Sequence, residues 1–246
     1  MKIYIKDIEK YYGDKKVINK LNSSFTLQEG NIYGIVGHNG AGKTTLFKIL
    51  SGILLYNSGE ISLDNGSGKD YLKWCKSNVA FILAGERGLR LKNTVYDNVI
   101  YYGVLKGSKL SSIKNNIKKY SKLFKIEDLL DRRIEELSTG EKKKAGILCG
   151  LCSNMQVIIL DEPSLGLDID SNESLKKMLV KISNDIKTTI IISSHDVNFL
   201  SSIANKYRFI VKGKNIFSLE NSMKESEIIE TYLRCKNKEK ENERIL

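Results

Sequence analysis

Residues 31–44 read Asn31-Ile32-Tyr33-Gly34-Ile35-Val36-Gly37-His38-Asn39-Gly40-Ala41-Gly42-Lys43-Thr44, and this stretch decides the fold. Asn31 to Val36 is a short apolar run of the strand type. Gly37 to Thr44 fits the pattern G-x-x-x-x-G-K-[ST], and Thr44 to Leu50 has helical character, so the pattern sits between a strand and a helix as its chemistry requires. Glycine accepts positive φ, which lets the chain wrap with successive N–H groups pointing inward. The following helix aims the N–H groups of its first turn, Thr45 among them, at the same anion. Gly37, His38, Asn39, Gly40, Ala41, Gly42, Lys43, Thr44 and Thr45 are therefore the expected phosphate cradle. Lys43 is expected to reach the β- and γ-phosphates and Thr44 to offer its hydroxyl to Mg²⁺. His38 and Asn39 are loop residues that the chemistry itself does not require.

Further on, Val157-Ile158-Ile159-Leu160-Asp161-Glu162-Pro163 sets two carboxylates at the end of an apolar run of the buried-strand type. Ligands of open α/β sheets gather at that end of the strands. Asp161 is expected to hold the Mg²⁺ shell, and Glu162 to face the water that attacks the γ-phosphate. The plainer reading of such a carboxylate is a helix N-cap.

Outward from these two anchors the chain alternates strands and helices. Residues 2–8 and 17–27 read as alternating strands around a turn at Gly13-Asp14, and 59–63 and Val79 to Leu83 as further strands. From about 93 to 150 the spacing becomes helical, which marks a helical lobe inserted into an α/β body. A helix at about 171–186, a strand from Thr188 to Ile192, a helix near 196–203 and two short strands near 207–217 follow. The expected architecture is α/β, with a mostly parallel sheet, an antiparallel N-terminal β-region and the inserted helices. Residues 1–217 are read as one domain. Residues 218–246 are read as a short helix running into a charged, disordered tail.

Composition excludes other classes. Forty Lys and Arg against 29 Asp and Glu give a formal net charge of +11 over 246 residues. The lysines are interspersed with acids, and no module of stacking aromatics and Lys/Arg is visible, so no nucleic-acid partner is expected. The charge suits a subunit docked under an anionic leaflet. Cys75, Cys149, Cys152 and Cys235 form no secreted-type framework, and Cys149 and Cys152 read as small apolar residues of a core helix rather than a redox pair. No uncharged apolar run approaches the ~20 residues of a membrane helix. The expected location is cytoplasmic, with any membrane span supplied by another protein.

Taken together, the motifs resemble those of the ATP-binding cassette (ABC) ATPases over roughly residues 1–217, a P-loop NTPase fold. Leu137-Ser138-Thr139-Gly140-Glu141 is similar to the family's signature motif, with Thr139 in place of a glycine and Glu141 in place of the frequent glutamine. Physically it is also a capping box, Ser138 before a helix with Glu141 at its third position. Ser164-Leu165-Gly166-Leu167-Asp168 resembles the D-loop and Ser193-Ser194-His195-Asp196 the switch-histidine motif. Tyr12 resembles the aromatic that stacks on adenine, with Tyr11 as the other candidate. Where most members carry a metal-touching glutamine, this chain has Ala84-Gly85-Glu86-Arg87-Gly88-Leu89, and either Glu86 or water takes its place.

The resemblance implies an ATPase with ATP and Mg²⁺. It implies a head-to-tail dimer, homomeric or heteromeric, in which Ser138, Gly140 and Glu141 meet the nucleotide of the second subunit. It implies Glu162, His195 and Lys43 as the catalytic group, and Thr44, Asp161 and Glu86 around the metal. A transmembrane permease is expected to dock near residues 84–98, placing the chain on the inner face of the cell membrane. The run at 85–89 is similar to exporter-type members. The Lys-rich stretch at 141–144 is similar to soluble members that work in iron–sulfur scaffold assembly, which is the alternative reading.

Overall fold

A computed structural model describes residues 1–246 apart from 28, 65, 67, 83–87, 245 and 246, and apart from the side chains of 68, 216 and 240–244. Two sheets form the body. The hairpin of β1 (Lys2–Tyr12) and β2 (Lys15–Thr26) pairs through β1 with β4 (Ser58–Leu63), giving an antiparallel sheet of order β2-β1-β4. The second sheet has the order β5-β6-β7-β3-β8-β9. It is built from β3 (Ile32–Val36), β5 (Val79–Ile82), β6 (Val157–Asp161), β7 (Thr189–Ser193), β8 (Lys206–Val211) and β9 (Lys214–Leu219). All its neighbours run parallel except the final β8–β9 pair.

The apolar runs of the central strands follow from burial on both faces. Side chains alternate between two cores, as the two-residue period of a strand demands. Ile158 and Leu160 of β6, Ile190 and Ile192 of β7 and Tyr207 and Phe209 of β8 enter one core. Val157, Ile159, Ile191, Tyr33 and Ile35 enter the other, which also holds the inner face of the antiparallel sheet. α1 (Lys43–Leu50) and α2 (Gly68–Asn78) belong to this second core through Phe47, Leu50, Tyr71 and Cys75. Arg208 of β8, 2% exposed, bolts the sheets together. Its guanidinium donates to the Ser24 carbonyl at 2.6 Å, pairs with Glu220 at 2.6 Å and lies 4.8 Å from the centre of the Tyr33 ring.

The opposite face carries the helical region, α3 (Val95–Leu105), α4 (Leu110–Phe124) and α5 (Thr139–Cys152), and then α6 (Ile169–Lys181), α7 (Val197–Ile203) and α8 (Glu225–Arg244). The second half of α5 is buried from Ala145 to Cys152. It lies close on β5 because Gly146 and Gly150 carry no side chain there. A Cβ on Gly150 would stand 3.0 Å from Ala80 Cβ.

One element is new and two local expectations are corrected. Residues 68–78, unread in the sequence, form α2, whose Tyr71 donates its hydroxyl to the Leu50 carbonyl at 2.5 Å. The helix expected at 171–186 begins at Ile169 under the cap of Asp168 and changes to one wide π-type turn over Ile182–Ile186. The charged tail expected to be disordered is the second half of α8, continuous to Arg244. Ile228 and Cys235 bury its inner face, Arg234 pairs with Glu230 one turn back, and Glu239 pairs with Lys214 at 2.7 Å. Tertiary anchors and pairs four residues apart offset what composition alone disfavours.

Candidate active site

β3, β6 and β7 are neighbours and end at one edge: Asp161 pairs in register with Ser193, and Ser193 with Ile35. The loops that leave this edge carry the residues singled out in the sequence. Gly37 is fixed by crowding, since a Cβ there would stand 2.5 Å from the Ile210 carbonyl oxygen. Gly42, at φ 101°, is the residue before α1, and a Cβ on it would meet Ile18 at 2.7 Å, so the turn into the helix is closed to other side chains.

Lys43 opens α1 and folds back into the loop. Its Nζ donates to the Gly37 carbonyl at 2.7 Å and to the His38 carbonyl at 3.2 Å. Burial lowers the amine below the usual lysine range, and the charges of Glu162 and Asp161 pull it back up. Thr44 donates its hydroxyl to Asp161 Oδ2 at 2.7 Å. Ser193 donates to Asp161 Oδ1 at 2.8 Å. Asp161, 6% exposed, thus stands between the phosphate loop and β7.

Glu162 follows in a left-handed conformation, φ 49°. This turns its side chain away from that of Asp161 toward the loop after β7. There Oε2 accepts the His195 backbone N–H at 2.9 Å, while Oε1 stands 3.3 Å from His195 Nε2. Oε1 is buried and has no hydrogen-bond partner, because the imidazole contact lacks hydrogen-bond geometry. A buried carboxylate oxygen with a free lone pair is an acceptor awaiting a donor. Behind the pair, Ser164 and Ser194 share a hydrogen bond of 2.7 Å.

The structure brings together Lys43, Thr44, Asp161, Glu162 and His195. Gly37 to Gly42 and Thr45 belong to the same loop and helix start, whereas Ser138, Gly140, Glu141 and Tyr12 make their contacts elsewhere. Ser138 caps α5 by accepting the Glu141 N–H at 3.3 Å, and Glu141 accepts the Ser138 N–H at 2.7 Å, so the capping box is present. Arg132 pairs with Glu141 at 3.0 Å, and the Ser138 amide is the first of the contacts that hold the Glu141 carboxyl below its usual range. Gly140 is buried against Ser171. Tyr12 closes β1 with an exposed ring, 47%, whereas the Tyr11 hydroxyl bonds Glu9 and its ring lies under Lys16. Glu86 lies outside the described residues.

Sequence reasoning missed Ser193 as a partner of Asp161. Its signal was positional: two adjacent parallel strands ending at the same level set their last residues side by side. It also missed Lys143, which reaches from α5 to the Pro163 and Leu165 carbonyls.

A parallel sheet with a glycine-rich cradle, a lysine and a carboxylate at its carboxyl edge defines the class, a P-loop nucleoside-triphosphate-binding protein. The family model described as ABC transporter matches residues 21–165. An ABC transporter ATP-binding protein of Methanocaldococcus jannaschii is 33% identical over 215 residues, covering 87% of this chain and 76% of that protein. The ABC transporter ATP-binding protein NatA of Bacillus subtilis is 31% identical over 217 residues, covering 87% and 88%. The solved structure of cbiO1 from Clostridium perfringens, described as part of the transporter complex cbiONQ, superposes with a TM-score of 0.79 at 25% identity over 94% of this chain and 92% of that one. This chain belongs to the ABC transporter family, as an ATP-binding subunit with a single cassette. It hydrolyses ATP to ADP and phosphate. Among the described residues no helix is long and apolar enough to cross a membrane.

Proposed function

We propose that this chain is the motor of an exporter-type ABC transporter, working as a dimer of cassettes under a separate transmembrane permease on the cytoplasmic face of the membrane. The observation that carries the motor is the meeting of Thr44, Asp161 and Glu162 at one sheet edge, with Glu162 Oε1 left without a hydrogen-bond donor. Residues 1–217 form the ATPase domain with the helical lobe at about 93–150 inserted, and 218–246 are an appended C-terminal segment.

The triphosphate lies on the amides of residues 37–45 with Lys43 on its outer phosphates. A hydroxyl and a carboxylate 2.7 Å apart are hard oxygen donors of the kind that Mg²⁺ takes beside phosphate oxygens and water. Thr44 and Asp161 would hold that ion, and its charge would offset the negative charge of the phosphates. Glu162 accepts a proton from the attacking water through Oε1, and His195 orients Glu162 through its backbone N–H and faces the γ-phosphate. Ser138, Gly140 and Glu141 present a helix N-terminus to the nucleotide of the second subunit, where the helix dipole and the serine hydroxyl favour an anion. Tyr12 stacks on adenine.

The direction rests on the resemblance of residues 85–89 to exporter-type members. The matched relatives also include a methionine import protein of Clostridium tetani and a tungstate uptake protein of Peptoclostridium acidaminophilum. The test of the partnership is affinity purification of tagged chain from detergent-solubilised native membranes. Recovery of a multi-spanning membrane protein in fixed proportion supports it. Recovery from the soluble fraction alone, with iron–sulfur assembly proteins, favours the alternative.

A further inference from the structure

Lys143 lies on the second turn of α5, half-buried. Its Nζ donates to the Pro163 carbonyl and to the Leu165 carbonyl, each at 2.5 Å. Both acceptors belong to the loop that leaves β6 at Glu162 and ends at the Asp168 cap of α6. Burial pushes the amine down to about 8, and the two carbonyls favour its protonated form, so it donates as a cation at neutral pH.

The far end of the loop and the start of α6 also approach α5 closely: a Cβ on Gly140 would stand 3.6 Å from Leu167 Cδ2 and 2.9 Å from Ser171 Oγ. Leu165 on the loop's outer side is 66% exposed, and Ile169, which opens α6, 83%. Its inner side runs to the hydrolytic pair. Ser164 Oγ shares a hydrogen bond of 2.7 Å with Ser194 Oγ, and the next residue, His195, donates its N–H to Glu162 Oε2 at 2.9 Å. A connected path of bonds therefore leads from the Lys143 ammonium to the Glu162 carboxylate.

We propose that Lys143 is a positioning residue: its ammonium holds the 163–165 segment against the helix that begins at Ser138 and, through Ser164 and Ser194, keeps Glu162 and His195 in working geometry. The role rests on the reading of Glu162 and His195 as the hydrolytic pair. Among the described residues the Lys143 ammonium bonds only the Pro163 and Leu165 carbonyls, and neither the phosphate loop nor Thr44 or Asp161. Its loss acts on turnover and leaves nucleotide binding in place.

The experiment compares purified Lys143→Met, Lys143→Arg, Ser164→Ala and the Lys143→Met/Ser164→Ala double variant with the parent. Steady-state ATP hydrolysis, binding of a fluorescent ATP analogue and thermal unfolding are read for each. Removing charge-assisted hydrogen bonds is expected to lower kcat about tenfold in Lys143→Met, with analogue affinity within about twofold. Lys143→Arg, which keeps a cationic donor, recovers part of the loss. Ser164→Ala lowers kcat in the same direction, and the double variant is no slower than Lys143→Met, as expected of residues acting in one path. Parent-like kcat in Lys143→Met, parent-like kcat in Ser164→Ala, or losses that multiply in the double variant would each overturn the proposal. If Lys143→Met does not fold, the Arg and Ser164→Ala arms still decide. Glu162→Gln is measured alongside. Its failure to slow hydrolysis would sink the reading of the site itself, whereas a dead Glu162→Gln beside a parent-like Lys143→Met would sink the positioning role alone.

Discussion

Thr44 and Asp161 stand 117 positions apart in the chain and are joined by a hydrogen bond of 2.7 Å from hydroxyl to carboxylate. The bond ties the first turn of α1 to the end of β6. It places the two oxygen donors proposed for the metal next to each other. Pre-set donors of this kind reduce what the site must reorganise on loading.

Asp161→Asn keeps the size of the side chain and removes its charge. ATP hydrolysis followed against Mg²⁺ concentration is expected to show half-saturation raised roughly 10- to 100-fold, a loss typical of a damaged metal shell. An unchanged Mg²⁺ dependence would remove Asp161 from the ion.

The glycine-rich loop and the acidic pair of the candidate site were legible in the sequence because each is a short motif in a required context. Residues 37–44 need only a strand before and a helix after, and Asp161-Glu162 need only a buried run before them. The strands at 2–8 and 17–27 were legible for the same reason, since the two-residue alternation of a strand is a local property. What was not legible depends on distant partners. Ser193 bonds Asp161 through strand register, and Lys143 reaches a loop some twenty residues on, which no local pattern encodes. The tail at 236–244 was misread because its composition is polar, while the anchors that order it, Cys235 and the Lys214–Glu239 pair, are tertiary. Glu86, which with water was one of two candidates for the place of the missing glutamine, lies outside the described residues.

Each ring has a lysine over it, Lys10 Nζ 5.7 Å from the Tyr12 centre and Lys16 Nζ 5.0 Å from the Tyr11 centre, but Tyr12 is 47% exposed while the Tyr11 hydroxyl also bonds Glu9. Tyr12→Ala is expected to raise KM for ATP about two- to tenfold with kcat unchanged, the worth of one stacking contact. Tyr11→Ala is expected to leave both constants near the parent values. The reverse pattern in steady-state kinetics would assign the stacking ring to Tyr11.

Cys149 and Cys152 match C-x-x-C by letter only. Both are buried on α5, where desolvation raises Cys149 to about 12 and Cys152 higher still. At pH 8 the Cys149 thiolate fraction is on the order of 10⁻⁴. Iodoacetamide at pH 8 is expected to leave both unmodified in the native protein and to label all four cysteines in denaturant, as read by intact mass. Rapid native labelling of either residue would contradict the core reading.

Glu141 has its carboxyl pKa lowered, first by the Ser138 amide and further by Arg132. A lowered folded-state value means that the carboxylate contributes stability above its unfolded value, near 4.5, and that this contribution fades as pH falls through the folded value. Glu141→Gln keeps the capping geometry without the charge. It is expected to cost about 0.3–1 kcal/mol near pH 7 and to lose less stability than the parent on acidification below 4.5. Denaturant midpoints measured across that window check it, and parallel curves for the two proteins would refute it.

Glu162→Gln, purified and studied with ATP and Mg²⁺, asks most directly whether the carboxylate oxygen beside His195, which accepts no hydrogen bond, drives hydrolysis. ATP affinity within about threefold of the parent, with kcat lower by about 10²–10⁴-fold, is the outcome expected when a general base is removed. Turnover within a factor of about three of the parent would show that another group activates the water.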